Sequence, residues 1–523
     1  MQSRGSVSEW TDTNPRETDG RLLIVSNRLP VTAKLHAGVL RMRPSDGGLA
    51  TALRQVARRW PAVWFGWYGI ADVSTESVDA TGPRDSEATV AIALSGTEVS
   101  RFYRRYCNSL LWPVLHGFVQ KPSTSMDQED WQTYRAVNER YAEAVLRYLR
   151  PGDRIWVHDY HLFLVSSLLR NRDPEVPIAV FLHTPFPEPE VFGVIPESTA
   201  LLEGLLGANV IGFHTEAYAE NFLAAVRALG YATDGSDVLV GDHRVSVRAR
   251  PMGIDIDTFT RLGSDPAVLS EVPRIRAVPG MRASSASLLL GVDRLDYTKG
   301  IPQRLLAFEC LLERHPELHG RVCLLQVAVP SREEIGAYRD LREVVEALVA
   351  RINHAHRQRN WTPVTYLYGT VDLNTLAAFY RAADVMVVTP LRDGLNLVAK
   401  EFIATRVDEN AVLILSKYAG AAAELQSAVV VNPNHVGELA EAYHRALRMP
   451  ATERRRRMRA LRRVIASNHV IDWASEFLDH LRDWGRPGHR RQGGRGLYER
   501  GFLRDGTRAW RASGPASNPL PGQ

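Results

Sequence analysis

Cysteine is scarce in this chain, and the three present form no pattern. Cys107, Cys310 and Cys323 are far apart and odd in number. That excludes a disulfide framework and a cysteine zinc site, and it fits a reducing, cytoplasmic compartment. Cys310 and Cys323 sit in apolar runs and read as buried, inert thiols. Long apolar runs are missing as well: none approaches the about 20 residues of a membrane-spanning helix. The first twenty residues, "MQSRGSVSEWTDTNPRETDG", are polar and have no apolar centre, so no secretory leader is expected. A large charge of one sign is also absent. The net charge is +5 over 523 residues, which by itself implies no nucleic-acid partner. The basic excess is concentrated in "ERRRRMRALRR" (453–463) and in the stretch from Trp484 onward.

Several catalytic signatures are missing too. There is no Walker A loop, no GxSxG elbow and no HExxH pattern. The glycines of "PSDGGLATAL" lack the spacing of a dinucleotide fingerprint, so nothing supports a nicotinamide cofactor. The sixteen histidines show no metal-ligand spacing.

What is present is an alternation of short apolar runs with helical periodicity. "RLLIVSNRLP", "VWFGWYG", "ATVAIALS", "DRIWVHDYH" and "PIAVFLHTPFP" read as strands. Between them, "GGLATALRQVARRW" and "WQTYRAVNERYAEAVLRYLR" carry helical spacing. The pattern loosens over 255–285, taken as interdomain, and then resumes. "SLLLGVD", "RVCLLQVAV", "VTYLYG", "DVMVVTP", "AVLILS" and "AVVVNP" read as the strands of a second series. Buried strands alternating with helices predict parallel sheets covered on both faces. The expectation is an α/β protein of two Rossmann-like domains facing across a cleft. Residues 1–20 are expected to be disordered, 21–260 to form the first domain and 285–470 the second. A last helix, 471–484, is followed by a disordered basic tail over 485–523, low in aliphatic residues.

Ligands of open parallel sheets bind outside the carboxyl ends of the strands. Five polar clusters stand at such exits: "SNR" (26–28), "HDYH" (158–161), "FLHTPFP" (181–187), "DRLDYTKG" (293–300) and "TPLRDGLNLVAKE" (389–401). Arg294 and Lys299, beside a helix start, suit a diphosphate; the alternative is that Arg294 pairs with Asp293 or Asp296. Gly394 lets a ligand approach the backbone, and the helix opened by "LNLVAKEF" offers first-turn N–H groups. Glu401, two turns on, can accept two hydrogen bonds from a ribose; alternatively it pairs with Lys400 or Arg406. Gly47 and Gly48 open a helix where a phosphate or sugar oxygen can sit, and Arg28 is placed to meet it. His183 reads equally as a core histidine.

Taken together and in order, these stretches resemble the retaining glycosyltransferases of the trehalose-6-phosphate synthase family. The matching pieces include "VSNRLP", "DGGLATAL", "WFGW", "FYRRYCNSLLWPVLH", "WVHDYHL", "FLHTPFP", "GVDRLDYTKGI", "PSRE", "VTPLRDGLNLVAKEF" and "LSKYAGAAAEL". They run from about Arg21 to about Trp484. The resemblance implies the GT-B fold, with a last helix crossing back to the first domain. It implies transfer of glucose from a nucleotide diphosphate glucose, UDP-glucose favoured over GDP-glucose, to glucose 6-phosphate. The product would be α,α-trehalose 6-phosphate, with no metal, no other cofactor, no nucleic acid and no membrane involved; a homo-oligomer stays open.

Residue by residue, the resemblance assigns the diphosphate clamp to Arg294 and Lys299, and the ribose carboxylate to Glu401. It assigns the donor glucose to Asp393, His183 and the backbone from Leu395 through Leu397 to Val398, with Gly48 bordering the donor phosphate. Catalysis would rest on Arg294, Lys299, His183 and Asp393. The phosphate of glucose 6-phosphate falls to Arg28, Tyr103, Tyr160 and Arg332, and its sugar to Trp112 and Asp159. In "YGTVDLNTL", Leu373 lies near the place where some relatives carry an arginine on the base, which leaves the base open. The rivals are a pseudo-glycosyltransferase or glucosylglycerol-phosphate synthase on the same fold, and a silent sugar-phosphate sensor. The intact "SNR" and "DRLDYTKG" weigh against all three.

Overall fold

In a computed structural model, which describes residues 20–36, 39–44, 48–73, 88–119, 127–277, 286–358 and 360–484, the strands gather into two large sheets. The first holds nine strands. In spatial order they are Ala88–Ala91, Ala62–Trp67, Leu22–Arg28, Arg154–His158, Ile178–Phe181, Val210–Phe213, His243–Ala249, Asp237–Val240 and Ala232–Asp234. Its first seven strands run parallel. The last two fold back as antiparallel hairpins, because Gly235 and Gly241, both at φ 59°, supply left-handed turns. This sheet is therefore mixed at one edge, where an all-parallel sheet was expected. Residues 1–19, Gly47 and the tail over 485–523 fall outside the described residues.

The second sheet has six strands, all parallel. They are ordered Val364–Tyr368, Val322–Val329, Ser287–Arg294, Val385–Val388, Val412–Ser416 and Val429–Val431. The four inner strands are buried apolar runs because helices cover both faces, while the two edge strands are half-exposed. Leu288, Leu289, Leu290, Met386, Val387 and Ile414 are fully buried.

Two segments differ from the expectation. The loosened stretch after residue 255 contains helices Ile256–Ser264 and Pro266–Ala277. Asp255 caps the first of them, accepting from Thr258 N at 3.0 Å. Pro273 inside the second weakens its sequence signature. Both pack on helices of the second half, Leu373–Ala382 and Leu397–Thr405. Elsewhere, Val99–Leu111 winds as a π-helix of 13 residues, a rare form frequent at functional sites. It follows a capping box built by Ser95 and Glu98.

The last helix, Val470–Trp484, returns to the first sheet. Trp473 is fully buried, with its ring centroid 5.0 Å from Trp156 and 5.0 Å, edge-on, from Phe181. Phe477 lies 5.5 Å from Trp156. Gly212 makes this docking possible, since any side chain there would run into Phe181 and Phe477. Among the described residues no helix is long and apolar enough to cross a membrane. Trp473→Ala should cost about 3–5 kcal/mol of stability in chemical denaturation, and a loss under about 1 kcal/mol would contradict the packing described.

Candidate active site

The carboxyl ends of the two sheets face one another, and side chains from both meet there. Arg28 closes the first strand. Its guanidinium lies 4.4 Å from the Trp67 ring centroid and 5.2 Å from that of Tyr103. Gly69, at φ 87°, leaves room for that guanidinium where a side chain would strike it. Tyr103 projects from the π-helix, whose turn is braced by Asn108 Nδ2 donating to Tyr103 O at 2.6 Å. The other end of Asn108 accepts from Tyr160 OH at 2.8 Å. Tyr160 OH in turn accepts from Arg332 Nη2 at 3.2 Å.

Arg332 belongs to the second half, and its backbone is left-handed at φ 50°. It stacks 4.0 Å from the Trp112 ring centroid, donates to Tyr338 OH at 2.5 Å and pairs with Asp296 at 3.4 Å. Of the five non-glycine residues with positive φ among the described residues, Asp159, Arg332 and Asn396 line this site. Strain held at such positions needs the surrounding contacts to maintain it, and it concentrates at functional sites. Burial alone would raise the Tyr103 phenol. Arg28, Arg332 and Arg294 together outweigh it and leave the phenol below its usual range. Three guanidinium groups therefore converge on one small region.

Arg294 is exposed at the end of its strand, 5.5 Å from the Trp112 ring centroid. Neither pairing considered from the sequence is realised. Asp293 is bound by the fully buried Arg304 at 2.5 Å, and Asp296 is taken by Arg332 and Tyr338. Lys299 ends a single turn of 3-10 helix that Asp296 caps through Thr298 N at 3.0 Å. Its Nζ lies 2.6 Å from Asp393 Oδ2. Asn396 Nδ2 donates to the same oxygen at 3.0 Å, while its Oδ1 caps helix Leu397–Thr405 through Ala399 N at 3.1 Å. Burial raises the Asp393 carboxyl, but Lys299 and Asn396 outweigh this and hold it ionised.

The halves touch closely along this line. Tyr218 OH donates to Asp393 O at 3.1 Å. Gly394 sits against His183 O, where any side chain would collide. A Cβ on Gly48 would come 2.6 Å from Leu397 Cδ1, so Gly48 faces Leu397 across the cleft. Val398 follows, half-buried. The His183 ring stacks on His158, with Nε2 3.1 Å from His158 Nδ1. Burial lowers its pKa to about 3, so it is neutral. Asp159 Oδ1 accepts from His183 N at 3.3 Å, and burial pushes that carboxyl up to about 6.

Glu401 stands apart from these groups, one turn along its helix. It accepts from Tyr380 OH at 3.0 Å, and burial pushes its carboxyl up to about 7. It pairs with neither neighbour considered from the sequence: Lys400 is engaged with Glu424 and Arg406 with Asp408.

The structure thus gathers the expected residues along the facing strand ends, with Glu401 at one margin. It adds Asp296, Tyr338, Asn396 and Tyr218, which the sequence reading did not single out as site residues. Asn396 had a signal, an asparagine at the N-cap position just before "LVAKEF". Tyr218 and Tyr338 lie in the first turns of their helices and had none.

Residues 20–483 match the family described as Glycosyltransferase family 20. A bifunctional trehalose-6-phosphate synthase/phosphatase of Thermoproteus tenax is 41% identical over 473 residues, taking in 88% of this chain and 63% of that protein. This chain thus spans less than two thirds of that relative. A UDP-forming α,α-trehalose-phosphate synthase 2 of Aspergillus niger is 39% identical over 490 residues, 92% of this chain and 99% of that one. The solved structure of a UDP-forming α,α-trehalose-phosphate synthase from Burkholderia xenovorans in complex with glucose-6-phosphate matches with a TM-score of 0.79. It does so at 33% identity, over 88% of this chain and 100% of that one. Two parallel-sheet α/β halves meeting at their strand ends make this a GT-B fold, and the chain belongs to glycosyltransferase family 20.

Proposed function

We propose that this protein transfers glucose from UDP-glucose to glucose 6-phosphate with retention, forming α,α-trehalose 6-phosphate and UDP. The single observation that carries this reading is the convergence of Arg28, Arg294 and Arg332 on Tyr103, beside Lys299. So much positive charge in a partly dry cleft calls for two anionic ligands. The names of the Aspergillus and Burkholderia relatives, both UDP-forming, supply the nucleotide.

In this reading Arg294 and Lys299 hold the donor diphosphate, which gains charge as the bond from its oxygen to glucose C1 breaks. The acceptor hydroxyl attacks C1 from the same face and passes its proton to the departing diphosphate oxygen. No paired carboxylates are needed: Asp393 is committed to Lys299 and Asn396, and it orients donor hydroxyls. The neutral His183 hydrogen-bonds the same sugar. Arg28, Arg332, Tyr103 and Tyr160 take the acceptor phosphate, and Trp112 and Asp159 line the acceptor sugar. The contacts of Gly48 with Leu397 and of Gly394 with His183 keep water out once the cleft is filled.

An assay with UDP-, GDP- and ADP-glucose, against glucose 6-phosphate and plain glucose, tests the reading. UDP-glucose with glucose 6-phosphate should give trehalose 6-phosphate, and turnover of unphosphorylated glucose at an equal rate would refute the acceptor assignment. Arg294→Ala and Lys299→Ala should each lower kcat by roughly 10²-fold or more. Melting curves should be recorded alongside, because Lys299→Ala also leaves Asp393 unpaired.

Glu401 adds a pH dependence. Ribose hydroxyls donate to the carboxylate form, so binding favours loss of its proton. UDP-glucose affinity should be greatest above pH 7 and weaken by up to about 10-fold per unit below it. Glu401→Gln should flatten that profile, and an unchanged slope in the variant would rule out Glu401 as its source.

A further inference from the structure

Away from the cleft, the fold brings together three side chains that are remote in sequence. His315 caps the carboxyl end of helix Ile301–Arg314. Glu441 and His444 lie three residues apart, on one face of helix Val436–Leu447, which packs against it. One ligand atom from each of His315, Glu441 and His444 lies within 4.8 Å of the others.

The environment of His315 defines which nitrogen is available. Glu317 Oε1 lies 3.2 Å from His315 Nδ1, so Nδ1–H donates to the carboxylate and Nε2 is the ring nitrogen left over. That Nε2 atom is buried and has no hydrogen-bond partner among the described residues. An unmet buried polar atom is costly and calls for an occupant. A carboxylate on the far nitrogen is also what orients a metal-binding imidazole. The His444 ring stacks on His315, with centroids 3.7 Å apart and planes inclined by 18°. Glu441 gives one oxygen to Arg314 Nη1 at 3.2 Å, leaving the other for a further ligand.

We propose that His315 Nε2, His444 and Glu441 bind a divalent transition ion of the zinc class, with water completing a four-coordinate site. Two imidazoles and a carboxylate suit such an ion. Bonds of about 2.0–2.2 Å place neighbouring donors roughly 3.4 Å apart. Closing the set takes side-chain movements of up to roughly 1.4 Å and a turn of the stacked rings out of their near-parallel planes until the in-plane lone pairs converge. The carboxyl end of a helix favours a cation there. The helix of 14 residues that ends at this site begins beside Lys299, so the ion would lie about 20 Å from the proposed diphosphate clamp. It acts as a clip between two helices and takes no part in glucosyl transfer.

The test uses full-length, tag-free protein stripped with a chelator and titrated with zinc chloride by calorimetry, with melting followed in parallel. The wild type should bind one zinc per chain, and its Tm should rise by about 3 °C or more at saturation. His444→Gln should weaken zinc binding at least 10-fold and abolish the Tm rise. Glu441→Gln, at an exposed position, makes the same test if His444→Gln melts abnormally without metal. His435→Gln, at the start of the same helix, should leave both readouts as in the wild type. Failure of the wild type to bind zinc would overturn the proposal. So would equal affinity in wild type, His444→Gln and Glu441→Gln, or an equal loss in His435→Gln.

Discussion

The guanidinium of Arg332, lying 4.0 Å over Trp112 and donating to Tyr160, joins the two halves where positive charge is densest. A buried arginine is tolerated only when its donors are met. Asp296, Tyr338 and Tyr160 meet them, and together they hold the residue in a left-handed backbone conformation. Through Tyr160 and Asn108 the same chain of contacts reaches Tyr103 and the π-helix. One side chain of the second half thus helps shape the wall of the first.

The second half supplies a complementary device. Lys299 and Asp393 form an ion pair, with Asn396 bonded to the same carboxylate and capping the next helix. In the proposed function an arriving diphosphate competes with Asp393 for Lys299, while the donor sugar competes for Asp393. Each ligand weakens the pair that the other needs opened, so donor binding rearranges the site as a unit. Arg294 needs no such release, being exposed and without an ion pair among the described residues. Below it, Arg304 neutralises Asp293 and bonds Gln326 and Thr389. That buried cluster keeps Asp293 from satisfying Arg294.

Much of this was legible from residues alone, for identifiable reasons. All six strands of the second sheet appear as apolar runs, and in the four inner ones burial on both faces removes alternation. The clustering of Arg28, Asp159, His183, Arg294 and Asp393 follows from their positions just after such runs. The antiparallel edge was missed because its short, half-exposed strands lack a continuous apolar run. The helices after residue 255 were hidden by Pro273 and by their short length. The π-helix has no distinct sequence period, although it carries Tyr103. His315, Glu441 and His444 meet only through helix packing, which no spacing rule detects.

The central claim is that the cleft separates two phosphates, the donor diphosphate on Arg294 and Lys299 and the acceptor phosphate on Arg28 and Arg332. A crystal structure with UDP and glucose 6-phosphate bound together tests it most directly. The account predicts diphosphate oxygens within about 2.7–2.9 Å of Arg294 and Lys299, and the sugar phosphate at similar distances from Arg28 and Arg332. A diphosphate lying away from Arg294 and Lys299, or a sugar phosphate held without Arg28 and Arg332, would contradict it.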